Sequence, residues 1–301
     1  MADEAPHVPV LPDEVMELLA VREGSVVVDV TAGAGGHLRR LAEAVGPSGR
    51  VIGMDRDPRA FEESAAGGVL RDYADRVVLR RAPFSEVRRV LHEEGVAAVD
   101  GLLCDLGVSS MQLDEAERGF SFRNEGPLDM RMDPTRGETA WELIDRVSEN
   151  ELADILFHYG EERRSRRIAR AIKKVWPLPD STVALAEVIA RAMPGPRGRI
   201  HPATRSFQGL RIAVNRELDE LDALLDALPG LLKPGGRAAV ISFHSLEDRR
   251  VKLRFREGAS ATELGPPVYR LLTKRPVVAS PEEIARNPRS RSAKLRAVER
   301  L

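Results

Sequence analysis

An α/β fold built on a parallel sheet and interrupted by a run of helices is predicted by three features of the sequence. The first is the stretch 26–55. An apolar run there ends on Asp29, a glycine-rich turn holds Gly33, Gly35 and Gly36, and a helical pattern sets Leu38, Leu41, Ala42 and Val45 on one face. A second apolar run, Val51-Ile52-Gly53-Met54, then ends on Asp55. The second feature is that the alternation continues, with Val77-Val78-Leu79 and the run 99–105 reading as further strands. The third is where it stops. Residues 111–216 carry mostly helical patterns, and strand pattern resumes only at 237–242. Helices between strands of one sheet indicate an inserted domain. The expected division is therefore 1–110 and 217–301 for the α/β domain, with 111–216 as the helical insertion.

Taken in order, residues 9–20 open with Pro9-Val10-Leu11-Pro12 and continue as a lead-in helix with Val15, Leu18 and Leu19 inward. Asp57-Pro58 starts the helix after the second strand, with proline early, where its missing N–H costs little. Phe84 follows the third strand in Ala82-Pro83-Phe84-Ser85, and the fourth strand runs through Asp105 into Leu106-Gly107-Val108-Ser109-Ser110. Within the insertion, 149–158 and 163–175 read as helices. A helix over about 217–228 and the turn Lys233-Pro234-Gly235-Gly236 lead into the fifth strand. Beyond Ala259 come short β-like runs, at 268–271 and 276–278, and then a basic tail.

The 301 residues suffice for one α/β domain with an insertion, and the 43% hydrophobic and 31% charged fractions are those of a globular protein with a large core. No apolar run reaches the roughly 20 residues that span a bilayer, and the acidic amino terminus lacks a signal peptide's order, so a cytoplasmic protein without membrane contact is expected. The single Cys104, inside an apolar strand, excludes a disulfide scaffold and a thiolate zinc site. The net charge of −1 does not announce a nucleic-acid binder, although local charge is uneven.

Asp55 lies roughly 20 residues beyond the glycines, the spacing at which an acid closing the next parallel strand binds a ribose diol. The unit suits a nucleoside. A dinucleotide fingerprint needs a third glycine where Leu38 stands, and a phosphate-cradling P-loop needs Gly-Lys-Ser/Thr where the helix opens with Gly36-His37-Leu38. What remains resembles the S-adenosylmethionine site of Rossmann-like methyltransferases. In such an enzyme the turn holding Phe84 flanks the adenine, so Phe84 either stacks on the base or is ordinary core, and the loop after Asp105 faces the methyl donor at the carboxyl end of the sheet.

The motifs extend that resemblance over nearly the whole chain. His7-Val8-Pro9-Val10-Leu11, Gly35-Gly36-His37, Asp55-Arg56-Asp57-Pro58, Asp105-Leu106-Gly107-Val108-Ser109-Ser110, Glu117-Arg118-Gly119-Phe120-Ser121-Phe122, the run 126–134, Tyr159-Gly160-Glu161-Glu162-Arg163, His201-Pro202-Ala203-Thr204-Arg205, Ser242-Phe243-His244-Ser245-Leu246-Glu247-Asp248-Arg249 and Asn287-Pro288-Arg289-Ser290-Arg291-Ser292 resemble, in order, the bacterial ribosomal RNA small-subunit methyltransferase H family. The resemblance implies methyl transfer from S-adenosylmethionine to the exocyclic N4 of a cytidine in the decoding centre of small-subunit ribosomal RNA. It also implies a helical recognition domain inserted in the methyltransferase fold. The implied cofactor positions are Gly35, Gly36, His37, Asp55, Phe84, Asp105 and Gln112, to which the turn adds Gly33. The linker at 258–267 is shorter than the family's. Whether the chain forms a homodimer is left open.

The sulfonium is a strong electrophile that needs no metal, whereas the cytosine amine is a poor nucleophile, so catalysis rests on alignment and on acceptors for the amine. Familiar amino-methyltransferases place Asp/Asn/Ser-Pro-Pro-Tyr/Phe after the fourth strand, and here the loop lacks the aromatic. Asp105, or a hydroxyl of Ser109 or Ser110, is expected to accept from the cytosine N4, Asp105 having as its alternative the amino group of the cofactor. His244, after the fifth strand, is a candidate for proton removal or base contact, or else a structural residue held by hydrogen bonds.

Three stretches suit RNA. Arg163, Arg164, Arg166, Arg167, Arg170, Lys173 and Lys174 share one helix, with Ile168, Ala171, Ile172 and Val175 inward. Thr204, Gln208, Arg211 and Asn215 share a polar face opposite Phe207, Leu210, Val214 and Leu218. Six basic residues between Arg286 and Leu301, against Glu299 alone, suit a phosphate clamp. Two other activities share parts of this picture: amine methylation of DNA, against which the missing Pro-Pro-Tyr loop weighs, and ribosome-assembly binding that uses the cofactor as a structural ligand.

Overall fold

The computed structural model describes residues 9–62, 66–193, 201–261 and 265–301, and all but the side chain of Ser110 within them. His7 and Val8 of the first motif, the Ser110 hydroxyl and residues 262–264 of the short linker lie outside the described residues. The chain divides into two compact units, one of residues 1–107 with 218–301 and one of residues 108–217.

The first unit holds a seven-stranded sheet in the order β3-β2-β1-β4-β5-β7-β6, where β1 is Val26–Asp29, β2 Arg50–Asp55, β3 Val77–Arg81, β4 Val99–Asp105, β5 Leu232–Ser242, β6 Tyr269–Leu271 and β7 Lys294–Arg300. The first five strands are parallel, and β7 enters antiparallel between β5 and β6. The parallel strands read as near-continuous apolar runs because both faces are covered. On one face Val28, Ile52, Leu102 and Cys104 pack with α4 (Val87–Glu93), α11 (Glu217–Ala227) and α12 (Ser245–Gly258). On the other, Val27, Val51, Leu103 and Ile241 pack with α1 (Pro12–Leu19), α2 (Gly36–Val45) and α3 (Ala66–Asp72). Adjacent strand residues thus serve opposite layers, as the pleat requires. The order reverses between β1 and β4, the point at which open α/β sheets bind ligands outside their strand ends.

The end of the chain corrects the expected basic tail. It is the strand β7, with Leu295, Ala297 and Val298 fully buried. Arg296 is buried too, its Nε 2.7 Å from Asp248 Oδ1, while Lys294 Nζ lies 3.4 Å from the same carboxylate and an Arg300 guanidinium nitrogen donates to the Leu232 carbonyl. Only Arg286, Arg289 and Arg291 of the six stay exposed, which weakens the phosphate clamp. Val277 pairs with Leu295 as an isolated bridge, and the Lys233-to-Gly236 turn is absorbed in β5, whose pairing with β4 is irregular between Val99 and Gly101.

The second unit is helical, with α5 (Ser110–Asp114), α6 (Ala140–Arg146), α7 (Glu149–His158), α8 (Ser165–Val175), α9 (Thr182–Ala192) and α10 (Thr204–Asn215) around a core that includes Leu128, Met130, Ile144, Leu152, Ile168, Ile189 and Leu210. On α8 the inward stripe is Ile168, Ala169 and Ile172, whereas Val175 is 47% exposed, so the helix turns its last residue outward against expectation.

Candidate functional site

Three strands that lie side by side, β2, β1 and β4, each end on an aspartate: Asp55, Asp29 and Asp105. Each has a different environment. Asp55 accepts backbone N–H bonds on both oxygens, from Gly33 at 2.8 Å and from Asp57 at 2.9 Å. This clamps the carboxylate in one orientation, each oxygen keeping a lone pair for a further donor. Burial pushes its pKa up, against those two bonds.

Asp29 is 1% exposed. Its Oδ1 accepts from the Thr31 N–H at 3.0 Å and the Thr31 hydroxyl at 3.3 Å, while its buried Oδ2 has no hydrogen-bond partner among the described residues. Burial outweighs those bonds and raises its pKa to about 7, with the Asp55 charge adding to the effect. The Thr31 hydroxyl also accepts the Asp105 N–H at 2.7 Å, tying the ends of β1 and β4 together. Asp105 has its Oδ2 3.7 Å from Nε2 of the buried His37 and leaves a buried Oδ1 without a hydrogen-bond partner among the described residues. Burial, then the charges of Asp29 and Glu247, push the Asp105 pKa well above the usual carboxylate range.

The glycines of the turn differ in what requires them. Gly33 and Gly35 both have positive φ, 45° and 82°. A Cβ on Gly35 would stand 2.9 Å from Val69 Cγ2 and 3.0 Å from the Ala66 Cα, and one on Gly36 would stand 3.0 Å from Pro9. Those two are glycine because α3 and the lead-in segment press on the turn. A Cβ on Gly33 would meet only the Thr31 carbonyl, at an ordinary contact distance of 3.7 Å, so what favours glycine there is the positive φ and not crowding. Phe84 is 9% exposed and sits in the core beside the sheet, at the start of a short helical turn, Phe84–Glu86.

His244 caps α12. Its Nδ1 accepts the Glu247 N–H at 3.4 Å, and Glu247 Oε2 accepts the backbone N–H of Phe243 at 2.8 Å and of His244 at 3.2 Å. The histidine Nε2 lies 3.1 Å from Glu247 Oε1. In the second unit, Ser109 and the buried Gln112 form the capping box of α5: the Ser109 hydroxyl accepts the Gln112 N–H at 3.3 Å, and Gln112 Oε1 accepts the Ser109 N–H at 3.0 Å. Thr31 and Glu247 escape a reading of the sequence for site residues. The signal for Glu247 is its place three residues after His244, the spacing of a capping box with histidine as cap. Thr31 carries only the weaker signal of a hydroxyl between the strand's acid and the glycines.

The polar face of α10 is turned to internal work. Asn215 is buried; it accepts the Met132 N–H at 2.7 Å and donates to the Met130 carbonyl at 2.6 Å. Gln208 donates to the Tyr159 carbonyl at 3.1 Å, and Arg211 forms a two-pronged pair with Glu217 at 2.8 Å. This face is therefore corrected from an RNA reader to a set of internal struts.

A model of the MraW methylase family matches residues 4–301. A protein of Sorangium cellulosum named ribosomal RNA small subunit methyltransferase H is 53% identical over 298 residues, 98% of this chain and 91% of that protein. Proteins of the same name from Anaeromyxobacter sp. (strain K) and Syntrophotalea carbinolica are 52% and 51% identical, with 100% and 98% coverage of both partners respectively. With a match over nearly every residue, the chain belongs to the MraW methylase family.

Proposed function

We propose that the protein transfers a methyl group from S-adenosylmethionine to the exocyclic N4 of a cytidine in the decoding centre of small-subunit ribosomal RNA. Methylation of small-subunit ribosomal RNA is supported by the shared name of relatives about half identical over nine-tenths or more of their length. The cytidine N4 and its place in the ribosome are supported by the succession of motifs in the sequence.

The observation that carries the donor assignment is the set of three aspartates at the ends of adjacent strands, two of them with a buried oxygen that no described residue satisfies. An unsatisfied buried carboxylate is costly, and a ligand that brings an ammonium and a sulfonium relieves that cost. The residues fit such a ligand. Asp55 accepts the ribose hydroxyls on the lone pairs that its two backbone bonds leave open. Gly33 lets the ligand approach the turn, and Phe84 lies at the adenine side. Asp105 accepts from the donor's amino group, while Asp29 completes the negative field behind it. When bound, S-adenosylmethionine supplies the electrophilic methyl.

The cytosine lone pair is delocalised into its ring, so the chain acts chiefly by alignment, an effect worth several kcal/mol, on the order of 7 or more where the fit is good. We assign His244 a positioning role. Its Nδ1 accepts the Glu247 N–H and its Nε2 lies 3.1 Å from Glu247 Oε1, contacts that hold the ring against the start of α12. Ser109, whose hydroxyl accepts a backbone N–H and still has its own proton to donate, is assigned to contact the cytosine amine or its neighbouring ring atoms.

The donor reading is tested by calorimetric titration with S-adenosylmethionine. The wild-type chain is expected to bind, and Asp55→Ala to bind about 10- to 100-fold more weakly, the loss of charge-assisted bonds of roughly 1.5–3 kcal/mol. Absence of binding by the wild-type chain contradicts the reading.

A further inference from the structure

The outward face of α8 carries a row of cations that the fold does not use. At 100° per residue Arg166, Arg167, Arg170 and Lys174 fall within one stripe, about 12 Å long at 1.5 Å per residue, and Arg163 stands in the turn just before the helix, which starts at Ser165 and not at Arg163 as expected. The opposite face, Ser165, Ile168, Ala169 and Ile172, is buried. Arg163, Arg166, Arg167 and Lys174 are exposed and have no ion pair among the described residues, and Arg170 has only Glu149, at 3.3 Å. Lys173 is set apart, its ammonium donating to the Ile144 and Asp145 carbonyls.

Two features make this arrangement unfavourable for the helix by itself. Like charges three and four residues apart repel. The arginines also crowd the amino-terminal end, where the helix dipole favours acids, and the first turn has none. The other two stretches of the sequence that suit RNA are largely engaged, the α10 face in internal bonds and half of the carboxyl-terminal cations in the sheet. The corner that precedes α8 adds an aromatic: Phe157, at the end of α7, is 52% exposed beside His158, with ring centroids 5.1 Å apart. Arg205 of α10 joins it, donating to the Glu161 carbonyl at 3.3 Å. Asp154 and Glu161 are the exposed acids of this corner and do not balance the row.

We propose that the α8 row and Phe157 form the surface on which the helical unit holds RNA, the arginines on successive phosphates and the phenyl ring on an unpaired base. This rests on the ribosomal RNA reading above and names the part of the chain that serves it. A polyanion restores the charge balance that the helix lacks, and an exposed aromatic within a basic patch gives a base a stacking platform.

The test measures binding of the full chain to naked small-subunit ribosomal RNA, and separately to polyglutamate, across a salt series. The triple variant R163A/R166A/R167A is expected to bind the RNA at least 10-fold more weakly. The slope of log affinity on log salt should flatten by about 2, near 0.7 for each single-strand phosphate deprived of its arginine. F157A should weaken RNA binding several-fold and leave the slope unchanged. An unaltered S-adenosylmethionine affinity and a urea midpoint no lower than that of the wild-type chain show that the variants fold. An unchanged slope and affinity in the triple variant overturn the proposal, as does a loss confined to polyglutamate, which would make the partner an acidic protein. Turnover on small subunits separates the two levels. No transfer by the wild-type chain refutes the proposed function, whereas wild-type transfer with an unaffected triple variant refutes this surface alone.

Discussion

Asp29 combines near-complete burial with a missing partner, and that makes it a source of pH-dependent stability. Its pKa rises from 3.8 to about 7 on folding. Below about pH 4 it is protonated in both states and costs nothing. Between that value and about 7 the folded state binds the extra proton, so stability falls as pH rises, by at most roughly 4 kcal/mol at 1.36 kcal/mol per unit, and levels off above. Asp248, whose pKa is lowered by Arg296 and Lys294, acts in the opposite direction, so a difference between proteins is needed. Urea unfolding of the wild-type chain and Asp29→Asn at pH 5 and pH 8 is expected to show the variant losing less stability on going to pH 8. Equal losses would mean that Asp29 is ionised in the folded protein.

Among the elements, those legible in the sequence are those whose burial is local in pattern. Strands β1 to β4 announce themselves because a parallel strand covered on both faces is apolar throughout, and β1, β2 and β4 each meet their ligand end at an acid. The strand β7 does not, because Arg296 and Glu299 look like tail residues until Asp248, Arg237 and Arg270 are brought to them from distant parts of the chain. The polar face of α10 misleads for the same reason: the partners of Asn215 lie more than 80 residues away. At the site, Asp55 and the glycine turn could be read from spacing, while the role of Thr31 depends on β1 and β4 lying side by side. Asn215 also holds Met130 in a left-handed conformation, φ 61°, that a non-glycine residue rarely adopts. Asn215→Ala strands a buried N–H and a buried carbonyl and should cost about 2–4 kcal/mol in denaturant unfolding. A change below about 0.5 kcal/mol would show that the loop holds itself. For α12, His244→Ala removes the cap and is expected to cost about 1 kcal/mol. It should lower turnover while sparing S-adenosylmethionine affinity, and unchanged turnover would remove His244 from the mechanism.

For the whole molecule, the chain forms two compact units. The first is a sheet whose reversal point gathers three acids and a glycine turn, a construction suited to a cationic nucleoside. The second is a helical unit with its own core and a positive outward face. Folded RNA hides its base edges within helices, so the reaction proposed above requires a cytidine that is unpaired or turned out of its stack. Chemistry and substrate are therefore tested together, most directly by supplying labelled S-adenosylmethionine with unmethylated small ribosomal subunits, free ribosomal RNA or duplex DNA, and analysing the nucleosides of each product. The expected result is N4-methylcytidine from small-subunit RNA and no label in DNA. Label in DNA, or none in any substrate from a chain that still binds the donor, would contradict it.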